Sequence, residues 1–198
     1  FVQGLLNTKL IAFGGDLAVG AMGIVNSMAT MIVMAIVAIN MASQPIISFN
    51  YGAKSFNRVK ETLKIAMISA TVIAIFAFIL VETLPGPIVK LFNSSDEGLL
   101  GIGREGLQIG LMALPFVGFQ VVAGNFFQSM GKAKIAVGLT LLRQVIILIP
   151  LIYLLPNYFG LHGIWMSMPI SDVCSAVVVT FILFNHWKKL NVLASAHS

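Results

Sequence analysis

LAVGAMGIVNSMATMIVMAIVAINMASQPIISFNYGA, Leu17 to Ala53, contains no Lys, Arg, Asp or Glu. It is long enough for one membrane-spanning helix with flanks, which needs about 20 apolar residues. Four further runs follow the same rule. IAMISATVIAIFAFILV lies between Lys64 and Glu82, and GLQIGLMALPFVGFQVVAGNFFQSMG between Glu105 and Lys132. From Ile135 to Leu155 only Arg143 interrupts, and from Gly163 to Trp187 only Asp172. The runs are too long and alternate too little for barrel strands.

Composition agrees. Hydrophobic residues make up 58% of the 198-residue chain and charged residues 10%. Soluble domains carry roughly 25% charged residues. A water-soluble fold of this size has too much surface to hide such a composition. The expected class is an all-α integral membrane protein, a polytopic helix bundle forming one membrane domain over residues 1–198. The expected spans are 1–13 (partial), 17–43, 63–84, 106–130, 135–155 and 163–187. The start, FVQGLLNTKL, lacks Met and reads as the cut first helix of a longer protein, or as one whose Met was trimmed; it shows no signal-peptide pattern.

The joints carry turn chemistry. Gly14-Gly15-Asp16 breaks the first helix, while Gln44-Pro45 and Tyr51-Gly52 are expected to end the second. Ser55 or Asn57 can cap the third helix, and Pro85-Gly86-Pro87 ends it. PIVKLF (Pro87–Phe92) reads as a short interfacial helix. Asn93-Ser94-Ser95-Asp96 can cap a returning one, and Pro156-Asn157 with Gly160 closes the fifth. Basic residues alternate between joints. Lys54, Arg58, Lys60 and Lys64 mark one side, as do Lys132 with Lys134 and Lys188 with Lys189. The intervening joints are mixed or neutral. By the positive-inside rule the basic joints and the C-terminus are cytoplasmic. The net charge of +5 therefore serves topology, not nucleic acid, for which no basic stripe exists.

Polar groups in hydrocarbon are the informative ones, because a charge at mid-membrane costs about 2.5–3.5 kcal/mol on insertion scales. Asp172 lies roughly 14 Å into the last span, after Pro169, and Arg143 roughly 12 Å into the previous one. The two can pair. One reading is a proton-responsive carboxylate or gate, the other a structural ion pair. Met28, Met31, Asn40 and Gln44 on the second span, and Phe116, Phe119, Gln120 and Asn125 on the fourth, are the candidate substrate-cavity residues. Met and Phe offer an adaptable surface for apolar and cationic ligands, and amides orient them or join helices. Glu82 reaches the outer interface, and Gly106 with Gly110 licenses a close helix contact. Cys174 reads as a small buried hydrophobe, since one cysteine makes neither disulfide nor metal site. His162, His186 and His197 are separated loop or end residues. No hydrolase, metalloprotease or phosphate-loop motif is present, so the expectation is no enzyme, no metal and no cofactor.

GDLAVGAMGI (Gly15–Ile24), QPIISFNYGAKSFNRVK (Gln44–Lys60) and GFQVVAGNFFQSMGKAK (Gly118–Lys134) resemble the MATE family of multidrug and toxin extrusion transporters, nearest its bacterial MepA-like subgroup. The family pattern has a "GD-A-A--GI" turn, a helix closing with "QPI---N-GA" and a basic "R-K" loop. The resemblance places the chain at the C-terminal six-helix lobe of a twelve-helix transporter, the first helix truncated. It implies a secondary antiporter of the bacterial inner (plasma) membrane, multi-pass, exporting small organic cations or amphipathic drugs in exchange for Na+ or H+ by alternating access. The partner would be the N-terminal lobe of the same protein. The pattern departs at Val117, where some members carry a carboxylate, and the seventh-helix acid of others would precede Phe1. Asp172 is then a fallback for the coupling site. Rival readings are a lipid-linked saccharide flippase of a related superfamily, whose cavity needs several Arg or Lys, and a non-transporting membrane scaffold.

Overall fold

The computed structural model describes residues 2–93 and 96–196, and among these there are helices and short joints but no strand. Helix α1 runs Val2–Gly52, α2 Phe56–Thr83, α3 Pro85–Phe92, α4 Glu97–Gly110, α5 Leu114–Ser129 and α6 Ala133–Leu141. A π-helical stretch, Leu142–Leu148, leads into α7, Ile149–Ala196. The protein is an all-α membrane helix bundle.

Two of these helices are each divided by one glycine. Gly15 has φ 65° and ψ −163° inside α1, and Gly160 has φ 58° and ψ −136° inside α7. Only glycine adopts such angles without strain. A Cβ would meet nothing within 4 Å at either place, so backbone angle, not space, selects the residue. Each break lets one continuous run of apolar sequence turn back on itself.

Elsewhere the helices run further than expected. α1 does not end at Gln44-Pro45 but carries Pro45 within it and stops at Gly52. The Pro costs one ladder bond, yet Asn50 donates to the Ile46 carbonyl at 2.8 Å just beyond it. α7 likewise passes through Pro156 and breaks at Gly160. The run expected as one helix over 106–130 is instead a pair, α4 and α5, bent by 52°. Pro115 sits in the first turn of α5, where its missing N–H is harmless, whereas in a continuous helix its ring would strike the carbonyl four residues back.

The short joints follow local chemistry. Ser55 occupies the N-cap position of α2 without a side-chain capping bond. Asp96 caps α4 with its Oδ1 accepting from Gly98 N at 2.9 Å and Leu99 N at 3.1 Å. Ser94, Ser95, His197 and Phe1 lie outside the described residues.

The core sits where small residues let helices approach. On α2 the buried positions are Phe56, Val59, Leu63, Ala66, Ala70, Ala74, Ala77 and Val81, a single face by three- and four-residue steps. α2 packs this face on α1 and α5. Opposite it, Ile65, Ile68, Val72, Phe76 and Ile79 are exposed, the face lipid would cover. Gly106 of α4 is covered by the Trp165 ring of α7, which is fully buried. α6 and the π stretch are the exception: among the described residues Leu139 is the one buried residue in α6, and the π stretch has none.

Candidate functional site

Three elements bring polar side chains to one point at the middle of the bundle. Arg143 opens from the π stretch, Asp172 from α7 just after Pro169, and Gln120 from α5. Arg143 Nε lies 2.6 Å from Asp172 Oδ1. Gln120 Nε2 donates to the Asp172 backbone carbonyl. Ser175 Oγ donates to Gln120 Oε1 at 3.4 Å, and Ser171 Oγ to the Arg143 carbonyl at 2.9 Å. Ser171, Asp172 and Ser175 share a face of α7 by helical spacing, so one turn of helix serves both partners. π-helical turns are rare and concentrate at functional sites; this one presents Arg143 sideways onto α7.

The pair is asymmetric toward space. Side-chain exposure is 35% for Arg143 and 10% for Asp172, so the arginine is the more open of the two, and both border one open volume. That volume is a cavity of about 710 Å³, walled by Asn26 and Ala29 of α1, Leu111, Leu114 and Val117 at the α4–α5 bend, and Met168 and Ser171 of α7. Arg143 and Gln144 also line a second groove of about 390 Å³ between α5, α6 and α7.

The sequence-selected residues divide among these surroundings. Gln120 and Asn125 line the smaller groove, together with Arg143. Asp172 lines the larger cavity. Met28 and Phe119 are half-buried against the core. Asn40 is buried, and its amide nitrogen has no hydrogen-bond partner among the described residues. Gln44 is exposed near the end of α1. Met31 is exposed, and Phe116 opens onto a separate apolar groove with Met166, Pro169 and Cys174. Cys174 is exposed, not buried, because it lies on the α7 face turned away from Asp172.

Sequence reasoning missed Gln144, Ser171 and Ser175 as cavity residues. Ser171 and Ser175 carried a signal: both flank the only acid of the span at helical spacing. Nor are His162 and His186 merely solvated. His162 Nε2 lies 2.9 Å from Glu105 Oε1, and the His186 ring stands edge-on to Phe127 at 5.0 Å. Glu82 holds Gln108 weakly, at 3.4 Å through its carbonyl and 3.5 Å through Oε2. Among the described residues no three His, Cys, Asp or Glu side chains gather as metal ligands.

Comparison with known proteins finds relatives of nearly the whole chain. The MatE family model matches residues 3–154. The multidrug export protein MepA of Staphylococcus haemolyticus (strain JCSC1435) is 25% identical over 191 residues, 96% of this chain and 42% of that protein. MepA of Staphylococcus aureus (strain N315) is 24% identical over 181 residues, 91% of this chain and 40% of that one. The solved structure of the MATE multidrug transporter DinF-BH in complex with rhodamine 6G is similar at TM-score 0.78 and 37% identity, over 89% of this chain and 39% of that one. The chain thus spans about two fifths of the length of these relatives.

Proposed function

From its membership of the MatE family, to which this chain belongs, we propose that it forms the C-terminal lobe of a multidrug efflux antiporter. The transported molecules are small organic cations or amphipathic drugs, exchanged for Na+ or H+ by alternating access. The observation that carries this reading is the 37% identity to a multidrug transporter solved with rhodamine 6G bound. The N-terminal lobe of the same protein completes the cavity, and the basic joints and C-terminus face the cytoplasm of a bacterial inner membrane.

The geometry supplies a consistent mechanism. Exchange requires that drug and ion favour different arrangements of the lobes. A carboxylate paired with an arginine is a two-state element: a cation bound at Asp172 competes with Arg143, and the freed guanidinium then repels a cationic drug from the cavity wall. Ala29 and Val33, on the α1 face beside the 710 Å³ cavity, give the apolar part of the drug its contact; Met31 lies on another face of α1. The chemistry is binding and release, with no bond made or broken.

The flippase reading is weaker here. Holding a pyrophosphate takes several arginines or lysines, and among the described residues Arg143 is the one cation lining either cavity. The deciding experiment follows ethidium uptake into everted vesicles that hold the full-length protein, under an imposed pH or sodium gradient. Gradient-driven uptake is expected, with Asp172→Asn lowering its rate by about tenfold or more, as for a functional intramembrane charge. Uptake that ignores both gradients would overturn the antiporter reading.

A further inference from the structure

Half of the residues that line the smaller groove are polar. Gln128 and Asn125 line it near the end of α5, Gln120 about 12 Å from Gln128 along that helix, with Thr140 and Gln144 opposite and Ser175 at its back. Six polar side chains thus form a column at membrane depth. The column ends at Arg143, and Lys132 and Lys134 follow Gln128 in the chain.

Lipid does not satisfy such a column, since hydrocarbon offers amides and hydroxyls no partner. Neighbouring groups close it only in part: Gln120, Ser175 and Thr140 have partners, while the Asn125, Gln128 and Gln144 side chains have none among the described residues. α6 and the π stretch leave Thr140, Leu141 and Gln144 exposed, and the π stretch buries nothing. The groove has room for several waters and many polar partners for each. Arg143 and Gln144 wall both this groove and the 710 Å³ cavity, so the guanidinium stands as the partition between them.

We propose that this groove is a water-filled path, separate from the drug cavity, through which the Arg143–Asp172 pair exchanges a small monovalent cation with the cytoplasmic side. The inference rests on the antiporter reading only for the cation's coupling role; the path itself stands on the groove's polarity and position. It takes Gln120 and Asn125 out of the drug cavity and makes them supports of the ion route. Drug and ion then leave the lobe by different doors, with Arg143 turning between them.

Cysteine accessibility tests it in the full-length protein with Cys174→Ser and any cysteine outside this chain replaced by serine. Thr140→Cys and Gln128→Cys, both exposed in the groove, are compared with Val177→Cys, whose position on α7 is 66% exposed on an apolar face. An impermeant cationic methanethiosulfonate reagent is added to everted vesicles. Thiols react as thiolates, which form in water and not in hydrocarbon, so the two groove positions should react at least about tenfold faster than Val177→Cys. Saturating rhodamine 6G should leave those rates unchanged. Rates equal to that of Val177→Cys at both positions would overturn the path. Slowing by the dye would return the groove to the drug cavity, and faster labelling in right-side-out vesicles would reverse its direction; either overturns the proposal. Fast labelling in a protein that shows no ethidium uptake would sink the antiporter reading and leave the path standing.

Discussion

The α2–α5 contact and the α6–π segment are built on opposite plans. At the first, Gly118 of α5 sits so near α2 that a Cβ would lie 2.7 Å from the Ala70 carbonyl oxygen and 3.0 Å from the Ala74 Cβ. Alanines at Ala66, Ala70, Ala74 and Ala77 line the seam, all buried. At the second, helix and π stretch bury almost nothing and are tied to α7 through Arg143 and Ser171. Close packing fixes one pair of helices at a single distance, because dispersion falls off steeply with any gap. A few polar ties, with the half-buried Ile135, Ala136 and Leu148, hold the other about a single pivot. The difference teaches where a bundle of this kind is rigid and where it can rearrange.

The largest expected effect breaks the rigid side. Gly118→Val forces α2 and α5 apart against backbone, so overpacking should lower stability by about 3 kcal/mol or more. Thermal melting of detergent-purified full-length protein, followed by size-exclusion fluorescence, reads this directly. A melting temperature unchanged by Gly118→Val would mean that the seam is not tight.

The pivot side comes next. Asp172→Asn strands a half-buried guanidinium, and breaking such pairs costs about 3–5 kcal/mol when fully buried, less here because Arg143 is 35% exposed. Replacing both partners, Arg143→Met with Asp172→Leu, should recover most of that stability while ethidium uptake stays lost. A double variant that is stable and transports normally would show the pair to be only a strut. Gly160→Ala is smaller, about 1–3 kcal/mol for placing a side chain in that backbone region, measured by the same melt. The smallest is Lys60→Ala. Its Nζ donates to Asn191 Oδ1 at 3.0 Å on the exposed surface, so the loss should be under about 1 kcal/mol, and a large drop would mark the α2–α7 end as a second fixed point.

Much of this contrast was legible in the sequence. Apolar runs punctuated by charge locate the helices, since hydrocarbon tolerates little else. Arg143 and Asp172 stand out because each is the one charge of its run, and their antiparallel helices bring them to similar depth. The breaks at Gly15 and Gly160 were visible as glycines in clusters with polar residues. What was hidden depends on partners distant in sequence. Nothing near Pro45 says that α1 continues past it, because neighbouring helices decide whether a proline is tolerated. The bend at Pro115 and the π turn at Arg143 come from how α4, α5 and α7 fit together. Met31 and Phe116 match Met28 and Phe119 in composition and differ only in the rotation of their helices. Val117, which takes the place of the carboxylate some MATE proteins carry, lines the larger cavity without adding charge to it.

Trp165 gives the bundle a built-in spectroscopic probe. Its ring lies over Gly106, fully shielded, and the chain's other tryptophan, Trp187, is half-buried at the far end of the same helix. Any motion that slides α4 along α7 admits solvent to an indole that otherwise has none. Its emission would then shift to the red, so the lobe's rearrangement has an optical signature that needs no added label.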